Sequence, residues 1–411
     1  MSPSRRSNVS LIFILGALST VTPLSIDMYL PAFSQIAADF HCPVGKVALS
    51  LSSYFIGMSI GQLFYGPLLD RFGRKKPLYF GLVIYLLASI GCLKSGSLES
   101  LVVFRFVQAL GACVAQVASV AMVRDFFPLK EAAKVFSLLM LILGVSPLLA
   151  PTVGGVITTS LGWHWVFISL MLVVSAILLV TFFFLPEGHE PDHSVSLQLR
   201  PILGGFLEII KVPQFYTYAL SGASAFGGLF AYVAGSPILF MNIFHVSARD
   251  YGAIFAFLSV GFIGASQLNI WIARHYRSEQ IYKVAIYGQV FAGSVFLLGT
   301  LCHWYELRST IFMLFLFISC LGFTYPNAAA LALAPFSKNA GRASALLGFF
   351  QIGAGAIASA GVGFFDSSRS LPTIAILEAT ALMGLIILLL GKKRIVHEVD
   401  AQITEEGLFH A

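Results

Sequence analysis

Long apolar runs alternate with short polar breaks along the whole chain. Runs of roughly 20 apolar residues, enough to cross about 30 Å of hydrocarbon as a helix, fall near 9–32, 46–69, 77–95, 99–123, 132–160, 163–186, 214–241, 250–273, 280–302, 309–336, 341–365 and 371–391. They lack the strict period-2 alternation of a membrane barrel, so the pattern predicts an all-α integral membrane protein with twelve transmembrane helices. The longest polar interval, Glu187 to Pro213, divides six helices from six. The expected organisation is an N-terminal six-helix half (1–186), a cytoplasmic linker (187–213), a C-terminal half (214–392) and a cytoplasmic tail (393–411). Within the linker, Pro201 to Lys211 reads as a short amphipathic piece on the inner membrane surface.

Composition agrees with this pattern. The 411 residues are 57% hydrophobic and 11% charged, too few charges to cover a soluble domain. Nineteen of the 25 lysines and arginines fall on one side of the membrane in this map, among them Arg71, Arg74, Lys75, Lys76, Arg124, Arg274, Arg277 and Lys338. Lys46, Lys94, Arg249, Arg308 and Arg369 fall on the other, and Arg105 stays inside an apolar run. The basic side is cytoplasmic, which places both termini there. The net charge of +6 is then a topology signal, with no nucleic-acid partner implied.

The first run follows Arg5 and Arg6, yet it is too long for a secretory h-region and lacks a small-residue cleavage site, so it reads as a retained first helix. The five cysteines (Cys42, Cys92, Cys113, Cys302, Cys320) show no metal-ligand spacing and no disulfide framework. No Gly-x-Ser-x-Gly elbow, His-Glu-x-x-His or phosphate-binding Gly-x4-Gly-Lys-Ser/Thr stretch occurs. Enzyme chemistry, a cofactor, a metal and nucleotide-driven pumping are all disfavoured.

Sliding the second half back by 203 positions places Gly264 on Gly61, Arg274 on Arg71, Arg277 on Arg74 and Arg308 on Arg105. Two related six-helix halves are a transporter layout, with the substrate site expected at the midplane between them.

Three stretches carry further signals. Between the second and third helices stands Gly66-Pro-Leu-Leu-Asp70-Arg71-Phe-Gly73-Arg74-Lys75-Lys76. Its glycines permit a tight turn and close helix approach, and its charges can pair across helix ends. A plain positive-inside loop would explain the basic residues but not Asp70 and the glycines at this spacing. In the fifth helix stands Gly144-Val-Ser-Pro147-Leu-Leu-Ala-Pro151-Thr-Val-Gly154-Gly155, where prolines bend the helix and glycines admit a neighbour. In the fourth, Arg105 costs several kcal/mol in lipid unless paired or hydrated, so it is expected to face a cavity with Gln108 at i+3 on the same side.

The first of these stretches closely resembles the signature loop of the major facilitator superfamily. The second resembles the antiporter motif of that superfamily's drug exporters. The resemblance implies that Asp70 helps latch the inside-closed state against the inner start of the eleventh helix, here around Asn339 to Arg342. It also implies a proton-coupling role for Arg105. In the second half Ala273 stands where an aspartate would be, which puts a mirrored latch in doubt.

The first helix contains Thr22-Pro-Leu-Ser-Ile-Asp-Met-Tyr-Leu-Pro31. Pro23 and Pro31 flank Asp27 by four residues each, on roughly its face, and Pro31 has no N–H to offer the carbonyl of Asp27. A hydrated, kinked opening follows, with Asp27 as proton site and Arg105 as coupling partner; a purely structural Asp27–Arg105 pair is the bland alternative. The string Asp27-Met-Tyr-Leu-Pro31, with Val123-Arg124-Asp125-Phe-Phe, looks like the Bcr/CflA branch of bicyclomycin and chloramphenicol exporters. That resemblance implies proton-driven export of drugs or small amphipathic compounds through the bacterial inner membrane.

Some relatives carry a second acid two turns earlier, where this chain has Ser19 and Thr20. One proton per cycle is therefore expected unless Glu378, in the twelfth helix, contributes; packing or snorkelling is its bland reading. Tyr29, Tyr54, Gln108, Gln116, Phe226, Tyr232 and Gln351 are the expected substrate-binding side chains, each with helix packing as its alternative. His164, between two tryptophans, reads as part of an interfacial belt. A dedicated exporter of one metabolite, such as an amino acid or siderophore, is the second functional reading, and a non-transporting membrane sensor the third. A complete pathway in one chain points to a monomer.

Overall fold

The computed structural model describes residues 5–188, 191–193, 198–336, 339–365, 369–395 and 399. Among these the chain is helical, with no strand. The first span is made of α1 (Arg5–Asp27), a 3-10 turn (Leu30–Ala32) and α2 (Phe33–Asp39). Then come α3 (Val44–Phe72), α4 (Lys75–Leu93), α5 (Leu98–Phe126), α6 (Leu129–Leu161) and α7 (His164–Phe184). After α8 (Leu199–Ile210) the chain continues through α9 (Pro213–Pro237), a π-helical turn (Ile238–Ile243), α10 (Ala248–Ile272), α11 (Ser278–Leu301), α12 (Leu307–Leu333), α13 (Ala340–Phe364) and α14 (Leu371–Lys392). Among the described residues, twelve segments are long and apolar enough to cross a membrane.

Large apolar side chains such as Phe80, Phe183, Val284, Phe291 and Phe364 lie on the outside of the helices. A water-soluble fold would bury them; here they are the lipid face. Helix α8 buries Phe206 and Ile209 while Leu203 and Leu207 are exposed beside Glu208, so apolar residues lie on both of its faces. The tail beyond residue 399, and Lys338 among the basic residues, lie outside the described residues.

The chain splits into two compact units: Met1–Cys42, Ser53–Gln198 and Ala248–Ala253 in one, and Pro43–Ser52, Leu199–Ser247 and Ile254–Ala411 in the other. Small residues set helix spacing in each. In the first unit, a Cβ on Gly111 of α5 would stand 2.5 Å from the carbonyl of Gly81 and from the amide of Tyr85 in α4. In the second, one on Gly322 of α12 would stand 2.5 Å from the carbonyl of Phe262 in α10. Without an oil–water difference between helices, this close backbone approach is what holds them together.

The second unit is not a rigid copy of the first in register. The starts of α4 and α11 lie 203 residues apart, but the starts of α5 and α12 lie 209 apart. A uniform shift of 203 therefore slips by nearly two turns there. Arg308 is the second residue of α12 and exposed, whereas Arg105 sits two turns inside α5 and is fully buried. The pairing of Arg308 with Arg105 is corrected accordingly.

Candidate functional site

Asp27 is the last residue of α1. Beyond it the amide of Met28 still donates to Leu24, but that of Tyr29 falls back to Ile26 at 3.3 Å, and a 3-10 turn carrying Pro31 follows. Proline at 31 removes the donor that would have continued the helix onto the Asp27 carbonyl. Asp27 is 6% exposed, and among the described residues its carboxylate makes no hydrogen bond or ion pair.

Gly154 of α6 seats directly on the backbone of Met28, leaving no room for a Cβ. Its partner is main chain that cannot swing aside, so Gly154→Val is expected to destabilise the fold by about 2–3 kcal/mol. Thermal unfolding in detergent checks this. Gly155 makes a similar approach to the carbonyl of Ala248, within the same unit. Pro147 and Pro151 lie inside α6, with Gly144 one turn before the first of them.

Arg105 is fully buried rather than facing a cavity. Its guanidinium lies 4.5 Å from the ring centre of Tyr29 and 4.2 Å from that of Tyr54. One Nη donates to Gln108 Oε1 at 2.7 Å and the other to the Ser25 carbonyl at 3.1 Å. Gln108 passes the chain on, donating to Ser89 at 2.7 Å, while the Ser25 hydroxyl is 2.6 Å from that of Tyr85. The cation is therefore held by two π faces, an amide and a carbonyl. No carboxylate among the described residues neutralises it, and its Nε has no hydrogen-bond partner.

The predicted residues thus separate. Tyr29, Tyr54 and Gln108 converge on Arg105, and Asp27 does not touch it, although Ser25 and Tyr29, two residues either side, both do. Gln116 lies apart, with its Oε1 buried and without a hydrogen bond. Phe226, Tyr232 and Gln351 belong to the second unit. There Phe226 packs on Tyr325 with 4.4 Å between ring centres, Tyr232 stacks on Phe255 at 5.5 Å, and Gln351 is buried. Sequence reasoning missed Ser25, Tyr85 and Ser89. Ser25 lay inside the quoted first-helix stretch, but lone hydroxyls in apolar helices carry no pattern that marks them.

At the α3–α4 turn, Gly73 adopts φ 81°, a conformation that glycine tolerates and a side chain resists. Gly66, by contrast, has nothing within 4 Å of a Cβ position, so the close approach expected of it is not made. Arg74 bridges Asp70 at 2.6 Å and Asp125 of α5 at 2.7 Å, and the Glu187 carboxylate accepts from the amides of Arg74 and Lys75. Arg71 lies over its neighbour Phe72. Burial pulls the Arg74 guanidinium down, but the hydrogen bonds and charges of Asp125 and Asp70 outweigh it and hold it above the ordinary arginine range. Asp125→Ala leaves a mostly buried Arg74 with only the half-exposed Asp70, at an expected cost of about 1.5–3 kcal/mol. Thermal unfolding of Asp125→Ala beside Asp125→Asn measures it.

The family model described as Major Facilitator Superfamily matches residues 15–392. An uncharacterized MFS-type transporter, YdgK, of Bacillus subtilis is 32% identical over 93% of this chain and 95% of its own length. The bicyclomycin resistance protein homolog of Haemophilus influenzae is 30% identical over 93% of this chain and 96% of its own. Among solved structures, a D-xylose-proton symporter superposes with a TM-score of 0.72 at 15% identity, covering 96% of this chain and 98% of the other.

Proposed function

The chain belongs to the major facilitator superfamily, and on that premise we propose that it is a proton-coupled antiporter exporting drugs or small amphipathic compounds by alternating access. The observation that carries this reading is a largely buried carboxylate without a hydrogen bond at the end of α1, and a fully buried guanidinium of α5, with no carboxylate against it among the described residues, that contacts the residues either side of that acid. Arg105 grips Ser25 and Tyr29 on either side of Asp27 without touching its carboxylate. A protonated Asp27 is neutral and suits a largely buried position that offers its carboxylate no hydrogen bond. When it loses the proton, the new carboxylate needs a partner, and the idle Nε of Arg105 is a donor that can serve. Because the segment from Met28 to Ala32 is broken out of the α-helix, a small shift there changes which side the carboxylate meets.

Tyr29, whose ring covers Arg105, follows Asp27 by two positions, so a change at the proton site is passed to an aromatic side chain on the same turn. The aromatic pairs Phe226–Tyr325 and Tyr232–Phe255 suit flat, partly apolar molecules. The name of the Haemophilus influenzae relative supports a drug as the cargo. The location in this reading is the bacterial inner membrane, with cytoplasmic termini and a monomer as the working unit. An obligate dimer in membrane cross-linking overturns the last point.

The test is drug-dependent proton movement in energised inside-out vesicles, followed with a pH-sensitive dye across a panel that includes bicyclomycin and chloramphenicol analogues. Proton release on adding a drug, absent from vesicles lacking the protein, is the expected result. A response to one metabolite and to no drug replaces the reading with a dedicated exporter. Binding without flux in proteoliposomes replaces it with a sensor.

A further inference from the structure

The second unit holds an acid that the coupling reading above leaves unused. Glu378 lies two turns into α14 and is 2% exposed. Oε1 accepts a hydrogen bond of 2.8 Å from Ser294 of α11, while Oε2 is buried with no hydrogen-bond partner. Oε2 occupies the notch left by the missing side chain of Gly293, with Phe317 of α12 beside that glycine. The carboxylate neither snorkels nor simply packs. It is inserted between helices, and the helix it enters is cut away to receive it.

The charges around it are committed elsewhere. On α11, Lys283 pairs with Glu279 at 2.6 Å, and Lys392 of α14 pairs with the same glutamate, about 20 Å along the helix from Glu378. Arg342 of α13 packs against Gly205 of α8, and Arg308 sits at the exposed start of α12. The remaining titratable groups on the surrounding helices are weak acids: Tyr216, Tyr218 and Tyr232 on α9, Tyr282 and Tyr287 on α11, and Cys320 and Tyr325 on α12. Among the described residues none of these bonds to the carboxylate. An ionised Glu378 has one hydroxyl for its whole negative charge; a protonated one is neutral, with the Ser294 bond intact.

We propose that Glu378, seated in the Gly293 notch and held by Ser294, is a second proton-binding site, separate from Asp27, loaded in the state described and unloaded during the transport cycle. The proposal rests on proton-coupled export for its role in transport, but not for the binding of the proton. Release requires that α14 and α11 part enough to admit water, and rebinding closes the notch. The exchanger then moves two protons per cycle rather than the one that a single carboxylate in the first helix implies.

Two measurements test it. In lipid at neutral pH, infrared spectra of the native protein are expected to show a protonated-carboxyl carbonyl band that Glu378→Gln removes and Ser294→Ala shifts; no such difference overturns the proton site whatever the transport data show. In vesicles, proton release per drug is expected to halve in Glu378→Gln, with proton-independent drug exchange retained. An unchanged proton count, or loss of exchange along with coupled transport, overturns the coupling role and leaves a structural acid. If native vesicles move no protons at all, the antiporter reading fails first, and the infrared band still decides whether Glu378 holds a proton.

Discussion

In inside-out vesicles, Asp27→Asn is expected to cut drug-driven proton release at least twofold, leaving no more than the proton carried by Glu378, while drug binding stays within about tenfold of native, a change of no more than about 1.4 kcal/mol. The amide matches the neutral acid in size and polarity, so it fills the same largely buried position at the end of α1 without new charge. It cannot release a proton, so the step that would generate a partner for Arg105 never occurs. Export against a gradient weakens with the lost proton, whereas exchange of drug for drug, which needs no proton, continues. A proton signal from Asp27→Asn equal to that of the native protein assigns the coupling to another group. Loss of binding as well makes Asp27 a cargo ligand instead.

Arg105→Lys is expected to cut transport at least tenfold and to destabilise the protein by about 2–4 kcal/mol, because it retains the charge but not the fork. The guanidinium donates simultaneously to Gln108 and to the Ser25 carbonyl while lying between Tyr29 and Tyr54. A lysine ammonium is a compact point charge that cannot make both bonds and stack on both rings. Each hydrogen bond to a charged group is worth about 1.5–3 kcal/mol, and the stripped acceptors are left buried. Thermal unfolding and drug uptake measured on the same preparation test both halves. A fully active, fully stable lysine variant shows that charge alone matters at this position.

The twelve spans and the break in the first helix were legible because each rests on a local signal: run length, basic residues at loop ends, and a proline four residues after Asp27. The grouping of Arg105 with Gln108 followed from helical spacing. What the sequence could not show was the company that this pair keeps. Ser25 comes from α1, Tyr54 from α3 and Ser89 from α4, and nothing in their spacing along the chain announces that they meet. For the same reason the expected cavity-facing arginine is a buried one: tertiary packing surrounds it with neutral partners, and among the described residues no carboxylate reaches it. Arg308 was misread because a uniform shift assumes equal elements, and α11, at 24 residues, is longer than α4, at 19.

The first spans of the two units share a feature with mechanical meaning. In one, α-helix gives way to a 3-10 turn at Leu30–Ala32; in the other, it gives way to a π-helical turn at Ile238–Ile243, just after Pro237. One backbone is wound too tightly for the α ladder and the other too loosely, and in both the regular hydrogen bonds lapse towards the C-terminal end of the span. A rod that loses its internal bracing at one point bends there first. Each unit thus contains its own compliant joint, and elastic deformation can be absorbed at the C-terminal end of each first span while the glycine-lined contacts elsewhere stay closed.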